Sequence, residues 1–393
     1  MYKIIKVENK KQLKQFINFQ VELYKDCPYF VPPLFGDELK ALDPKKSAFI
    51  GEDATAQCFL CVDENGKIVG RICGIISHLY NQKNNTKRVR FSRFDCIDNQ
   101  EVANLLLSTV EEWGKENGME VIHGPLGFND MEREGLLIEG FDLMSTYNTQ
   151  YFYPYFKPLL ENYGYEKEVD WLEFRFRRTS SSDDRTSKLC SAVSKRLKIT
   201  EAKLKSKNHL IKNYYNQVFD VLDEAYGDLY GTVPITQKMR DCLIGQFKLI
   251  LNLDLISVLV DQNDRVVGFG LILPCISQSV HDCKGKLFPF GWVNVLKEIK
   301  RCDVVEMALI AVRKEYQNKG LTAIIFHNIL ERVATKYPNL KYCETNLELE
   351  ENYKIQQLFA EGFDTKQVRR RRCFYKSLTG QKVEPLKAIN PQN

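Results

Sequence analysis

The chain has 393 residues, enough for two domains of ordinary size, and its 44% hydrophobic and 27% charged content is that of a soluble globular protein. The formal charge of +5 is mild; it permits an anionic ligand without calling for nucleic acid. No apolar run reaches bilayer length, the start MYKIIKVENKKQ lacks a secretory core, and twelve cysteines show no framework spacing, so a reduced, cytoplasmic setting is expected.

In chain order, period-2 and helical patterns predict strands near 3–7, 56–62, 67–76, 88–95 and 119–123, and another from about 166. Helices are predicted near 9–24, 99–117 and 151–163. Cys58 and Cys61 form a C-x-x-C inside a strand pattern, where positions three apart face opposite sides. No second pair follows and the five histidines lack ligand spacing, so no metal site is expected. Residues 124–156 form an insertion too long for a simple connector. It mixes Asp130, Glu132, Glu134, Glu139 and Asp142 with Tyr147, Tyr151, Phe152 and Tyr153. Such a loop either packs on itself with solvated charges or presents carboxylates and rings to a cationic amine.

After the Ser-rich stretch RRTSSSDDRTSK the pattern begins again. A strand near 198–203 leads to helices near 209–226 and 236–250, then a hairpin at 254–261 and 265–275. Strand 303–312, helix 320–336, strand 340–345, helix 351–361 and a strand at 365–376 follow. VDENGKIVG (62–70) and VDQNDRVVG (260–268) match at an offset of 198 residues, as do NYGYEK (162–167) and AEGFDT (360–365). Shared offset at two distant places points to duplication. The expected division is a first domain 1–178, a linker 179–195, a second domain 196–378 and a tail 379–393. Each domain reads as α/β (α+β), with a mixed, largely antiparallel central sheet flanked by helices. The arginine run VRRRRCFYK (368–376) alternates faces on a strand, and a solvated edge strand is the expected reading, ahead of a nucleic-acid contact. KLFPFGWVNVLKEIKR (286–301) is expected to pack on its own sheet; a lid or a membrane contact are the other readings.

The junction EYQNKGLTAII (315–325) joins an apolar strand to an amphipathic helix through Gln317, Asn318, Lys319 and Gly320. The first N–H groups of a helix lack internal partners and carry partial positive charge. Gly320 removes a Cβ from their path and Lys319 adds a full charge, so a pyrophosphate suits the place; an ordinary turn is the plain alternative.

These residues and the order of elements resemble the GNAT superfamily of acyl-CoA-dependent N-acyltransferases, here as two tandem GNAT-like domains. Gln317 and Gly320 match its Gln/Arg-x-x-Gly-x-Gly/Ala fingerprint, with Thr322 at the last position. NYKIQQLFAEGF resembles its next element, with Asn352 opening a helix and Phe359 where a tyrosine is usual. The resemblance covers roughly 196–378 and extends to an uncharacterised bacterial two-domain group. It implies that acetyl-CoA (coenzyme A) is held by Leu309, Ile310, Ala311, Val312, Gln317, Asn318, Lys319, Gly320, Leu321, Thr322, Asn352 and Phe359. Transfer to a small-molecule or peptide amine needs a base, and Glu306, early in an otherwise apolar strand, is the candidate, with a strand-end carboxylate paired with Arg or Lys as the plain alternative; the oxyanion donor would be a backbone N–H near Ala311 or Val312. Phe359 cannot protonate a thiolate; Tyr353, Tyr375 or water, a thiolate being a tolerable leaving group near neutral pH, are the possible substitutes. The first half has no fingerprint, and Asp95, Asp98 and Glu101 crowd its equivalent helix start, so CoA is not expected there. Two further readings are a Fem-type aminoacyl transferase using charged tRNA and a non-catalytic acyl-CoA-binding protein.

Overall fold

Both repeated turn sequences close β-hairpins by the same device. Asp63 Oδ1 accepts from the N–H groups of Asn65 and Lys67, and Asp261 Oδ1 from those of Asn263 and Arg265. Gly66 (φ 77°) and Asp264 (φ 59°), 198 residues apart, take the left-handed position of each turn. The computed structural model describes residues 1–178, 184–353, 356–357 and 363–386.

The first half runs β1 (Lys3–Lys6), α1 (Lys10–Leu23), α2 (Phe35–Leu42), β2 (Ala54–Val62), β3 (Ile68–Ser77), α3 (His78–Asn84) and β4 (Arg88–Cys96). It continues with α4 (Gln100–Glu116), β5 (Val121–Gly124), β6 (Leu136–Glu139), α5 (Phe156–Asn162) and β7 (Glu166–Arg178). The second half runs α6 (Asp184–Leu197), β8 (Thr200–Glu201), α7 (Lys207–Tyr226), α8 (Gln237–Phe247), β9 (Ile256–Val260), β10 (Val266–Pro274), α9 (Ser277–Asp282) and α10 (Gly291–Arg301). Then come β11 (Val304–Val312), α11 (Leu321–Lys336), β12 (Tyr342–Thr345), β13 (Glu348–Leu349) and β14 (Phe363–Ser377). Helix starts carry local signals: the side chains of Asn9, Asn99 and Ser206 accept from the backbone N–H three residues on, capping α1, α4 and α7. Residues 184–197, which cover most of the expected linker and the first two positions of the expected second domain, form α6, which packs Cys190, Val193 and Leu197 into the core beneath α11.

All strands join one sheet in the order β1-β2-β3-β4-β5-β14-β7-β12-β11-β10-β9-β8, with β6 on β14 and β13 on β7. Among the described strands, only β4–β5 and β11–β12 pair in parallel. The terminal strands are exchanged: β14 of the second half completes the first half's sheet beside β5, and β7 of the first half pairs β12 of the second. β7 and β14 pair with each other from Phe363↔Arg178 to Tyr375↔Glu166. One core cluster spans the halves, packing Leu13, Phe16 and Phe49 with Phe219, Val258 and Phe269, while α4 and α11 cover separate cores. Cys58 and Cys61 belong to different clusters, as their spacing on β2 requires.

Two expectations are corrected. β14 is central, not an edge, and its arginines are neutralised in place. Arg369 and Arg371 are buried against Glu173 of β7, with Glu344 of β12 also on Arg369, while Arg370 and Arg372 engage Asp170 on the other face. Burial pushes the Glu173 carboxyl up, and the two arginines outweigh it and hold the group below the usual range. The second correction concerns 286–301: only Val295 of α10 is buried, while Phe288, Phe290, Trp292 and Leu296 are 83%, 76%, 42% and 41% exposed.

Candidate active site

Strand β11 loses a neighbour halfway along. Its parallel pairing with β12 ends at Met307↔Thr345, whereas its pairing with β10 continues to Gly268↔Val312. The register shifts beside Leu271, leaving Ala308 as an extra residue on β11. Asn346 then turns the chain away, its N–H donating to Met307 O (3.1 Å) and its Nδ2 to Ala308 O (3.3 Å). Leu309–Val312 therefore has a strand on one side and an open edge on the other. Antiparallel alternation decides which groups face the opening. Arg313 N–H donates to Val267 O (2.9 Å) on the β10 side, so Ala311 faces β10 and Ile310 and Val312 face the gap. Of the two expected oxyanion donors, Ala311 N–H is thus turned the wrong way; Val312 remains, joined by Ile310. The Tyr226 hydroxyl sits on this edge, donating to Ile310 O (2.8 Å) and accepting from Ile310 N–H (3.4 Å).

The edge ends at the helix junction. A 3-10 turn at Lys314–Tyr316 leads through Gln317, whose Nε2 reaches Val312 O (3.5 Å), to Asn318 (φ 58°) and Gly320 (φ 87°). Gly320 is the N-cap of α11; no side chain caps this end and its first turn holds no acidic residue. The N–H groups are thus left for a ligand, beside exposed Lys319, whose Nζ lies 5.6 Å over the Tyr316 ring. A Cβ on Gly320 would meet only Val193, at an ordinary 3.7 Å, so the glycine answers the backbone conformation rather than crowding. Leu321 is buried in the core and offers only its amide, and Thr322 is half-buried. Asn352 follows β13, its N–H donating to Leu349 O (2.9 Å). Its Nδ2 donates to Glu348 Oε2 (3.4 Å), and among the described residues its buried Oδ1 has no partner. Burial pushes the Glu348 carboxyl up to about 8, with the Asn352 bond opposing. Phe359 lies outside the described residues.

Glu306, on the same strand, is buried and points to the face shared by the halves. Its Oε1 accepts from Tyr147 N–H (3.4 Å) and faces Ser277 Oγ (3.4 Å). Burial pushes its carboxyl up to about 7; the charge of Glu344 adds to the rise, and Cys275, Tyr147 and Ser277 oppose it.

Tyr147 belongs to the first half's insertion, and the arginine run explains how that loop reaches the second half. Arg369 donates to Met144 O and Arg371 to Gln150 O, while Arg133 donates to Val31 O (2.9 Å) and Tyr147 O (2.8 Å). The insertion is therefore a packed element. Glu132 pairs with Arg93 and Glu139 with Arg370, and Tyr151 and Phe152 are buried. Beside it lies a cavity of about 120 Å³, bounded by Pro33, Leu34 and Asp37, by Tyr147, and by Gln246 and Phe247 at the end of α8. Among the described residues Asp37 makes no ion pair, and burial raises its carboxyl. Of the expected substitute acids, Tyr353 is exposed, and Tyr375, on β14 three strands from β11, donates its hydroxyl to Val383 O (3.2 Å). Tyr226, which no local pattern marks, is the hydroxyl at the gap.

His123, Glu168 and Cys373 bring ligand atoms together elsewhere in the core. Those atoms are already engaged: Tyr230 Oη lies 2.9 Å from His123 Nδ1, 2.5 Å from Glu168 Oε2 and 3.3 Å from Cys373 Sγ, and Arg88 holds Glu168 Oε1 at 2.5 Å. This is a hydrogen-bonded core knot.

The parallel pair that parts after Met307↔Thr345, the junction beyond it and the doubled order of elements give a tandem GNAT-like fold. It is similar to the tandem GNAT protein from the clavulanic acid biosynthesis pathway (TM-score 0.56, 10% identity, 97% of this chain and 100% of that one). It is also similar to the GCN5-related glucosamine N-acetyltransferase region of a fungal multi-domain GH3 β-N-acetylglucosaminidase (TM-score 0.52, 13% identity, 96% of this chain and 38% of that one). By sequence it is 28% identical over 342 residues to Protein YghO of Escherichia coli (strain K12), covering 85% of this chain and 84% of that protein. It is 27% identical over 321 residues to the bacterial ceramide synthase of Caulobacter vibrioides (strain NA1000 / CB15N), covering 80% and 81%. No protein-family model matches the chain. Among the described residues no helix is long and apolar enough to cross a membrane.

Proposed function

We propose that this chain is an acyl-CoA-dependent N-acyltransferase, with the donor in the β11–β12 gap and the acceptor amine approaching Glu306 from the insertion side. One observation carries the reading: the open backbone edge at Ile310 and Val312 runs directly into the uncapped N-terminus of α11. An extended amide-bearing arm suits such an edge as an added strand would, and its diphosphate suits the helix end. The donor supplies an activated acyl thioester. Lys319 and the amides of Asn318 to Thr322 would hold its phosphates, Gln317 steadies Val312, and Asn352 Oδ1 is free to accept from an amide. The N–H groups of Ile310 and Val312 face the gap, where developing negative charge on an acyl oxygen would be stabilised. Glu306 accepts the amine proton; its carboxyl near 7 is matched to that work at neutral pH. Tyr226, once its hydroxyl leaves Ile310, has a proton to give, which a phenylalanine at 359 does not. Asp37 at the cavity wall is placed to hold a cationic amine before it loses its proton.

Acetyl-CoA is the donor expected from the fingerprint. The ceramide synthase relative supports a longer acyl chain and a long-chain amine instead. Calorimetric titration with acetyl-CoA, palmitoyl-CoA, CoA and charged tRNA tests the reading. Binding of an acyl-CoA, with thiol release that depends on added amine, is expected. Binding of charged tRNA alone would move the assignment to aminoacyl transfer, and acyl-CoA binding without turnover on any amine would leave a sensor.

A further inference from the structure

Among the described residues, exposed large apolar side chains cluster on α10 and the loop before it. Phe288, Phe290, Trp292 and Leu296 are four of the nine exposed large hydrophobic side chains among the described residues, yet they fall within nine positions of chain. Single exposed apolar residues are ordinary on a protein surface; four so close together are not. Trp292 and Leu296 are one helical turn apart, with Val295 buried beside them, so α10 has one face on the protein and one apolar face outward. Cations frame that face. Lys284, Lys286, Lys297 and Lys300 are exposed, and among the described residues none makes an ion pair, while Arg301 pairs with Asp303. The one carboxylate on the helix, Glu298, is turned inward to accept from Ser279 N–H (2.9 Å).

This composition, with aromatic tips, an aliphatic turn and a lysine border, matches a helix lying in the interface of an anionic bilayer. A protein partner would be expected to bring carboxylates to the lysines and would favour a flat or grooved surface. Phe288 and Phe290 instead project from the loop ahead of the helix, as side chains do that enter a deformable medium.

The patch is also fastened to the candidate site. Glu298 ties α10 to α9, and α9 carries Ser277, whose hydroxyl lies 3.4 Å from Glu306. The preceding loop and α9 are joined to the first half: Phe35 N–H donates to Gly285 O (2.9 Å) of the loop, and the ring of His281 on α9 meets Phe30 O (2.8 Å). Pro33, Leu34 and Asp37, in the same first-half segment, bound the cavity beside Tyr147.

We infer that the face formed by Phe288, Phe290, Trp292 and Leu296 with Lys284, Lys286, Lys297 and Lys300 docks this protein on an anionic lipid bilayer. The docked helix places the mouth of the acceptor cavity at the lipid surface. Docking itself needs no turnover, so it stands or falls separately from the acyltransferase reading.

The full chain is mixed with phosphatidylcholine vesicles, with and without phosphatidylglycerol, and sedimented. Binding is expected with phosphatidylglycerol and is weakened by salt. Trp292 fluorescence should shift to the blue on binding, whereas Trp171 is already buried and Trp113 half-buried. Phe288→Ser with Phe290→Ser and Trp292→Ser should weaken binding roughly tenfold or more. Gln at the four lysines should remove the phosphatidylglycerol dependence. All seven side chains are exposed, so unchanged circular dichroism and melting are expected of both variants. Absence of binding by the parent chain, or binding unchanged in the serine variant, overturns the inference. So does a parent dimer in sedimentation equilibrium that the serine substitutions dissociate, because the face would then be a contact between copies.

Discussion

Replacing Glu306 by Gln separates chemistry from stability, and the two effects have opposite signs. Gln keeps the size of the side chain and an oxygen for Tyr147 N–H, but it cannot take a proton from an amine. Loss of a positioned base costs about 10²- to 10⁴-fold in rate. The parent rate should rise with pH through about 7 as Glu306 ionises, and the variant's residual rate should lack that rise. The stability effect follows from the same burial. The folded carboxyl lies near 7 against an unfolded value of 4.5, so the folded state binds the proton more tightly. Stability is then fully present below about 4.5, falls as pH rises between the two values, and stays reduced above 7. The displacement corresponds to roughly 3 kcal/mol in favour of the uncharged side chain at pH 8. Urea unfolding of parent and variant at pH 5 and pH 8 reads this directly. Near-equal midpoints at low pH and a more stable, inactive variant at high pH are expected. Equal midpoints at both, or full activity in the variant, refute the assignment of Glu306 as a buried base.

Three other substitutions probe the neighbouring parts. Gly320→Glu places a carboxylate at the uncapped helix end and forces a non-glycine residue to φ 87°, so acyl-CoA affinity should drop by more than about tenfold; calorimetry showing unchanged affinity counts against the phosphate site. Tyr226→Phe removes the hydroxyl from Ile310, and steady-state kinetics should give kcat lower by roughly 10²-fold with no rise in donor KM. A higher donor KM at unchanged kcat would make Tyr226 a binding group only. Arg369→Gln leaves buried carboxylates short of a cation and frees the Met144 carbonyl, which should cost about 3–5 kcal/mol in urea unfolding and raise the amine KM.

Local chemistry made much of the fold legible. The Asp63 and Asp261 turns, the Asn9, Asn99 and Ser206 caps and the amphipathic α11 are each specified within a few residues, and the offset of 198 exposed the duplication. The strand exchange was not legible. β7 and β14 have the same kind of neighbour whether each stays with its own half or crosses, so only the global packing decides. The arginine run illustrates a partial reading. Alternation of faces holds, but the edge position does not, because charge on a strand also marks buried pairing with a neighbouring strand's carboxylates. A cue existed in Asp170 and Glu173 on β7, which antiparallel pairing brings beside Arg369 to Arg372. At the site, the fingerprint points to the junction, and a carboxylate early in an apolar strand points to Glu306 as a candidate. Tyr226 at the end of α7 and the N–H of Tyr147 come from distant segments, and no spacing rule points to them. The orientation of Ala311 required the register with β10, which no single-strand pattern contains.

The central claim is that the open edge of β11 and the helix end beyond it position an acyl thioester for attack by an amine. Following free thiol release from acyl-CoA, with and without a panel of short and long-chain amines, tests it most directly. The account predicts amine-dependent release by the parent chain and none above background by Gly320→Glu. Release equal in both, or absent in the parent with every donor and amine, contradicts it.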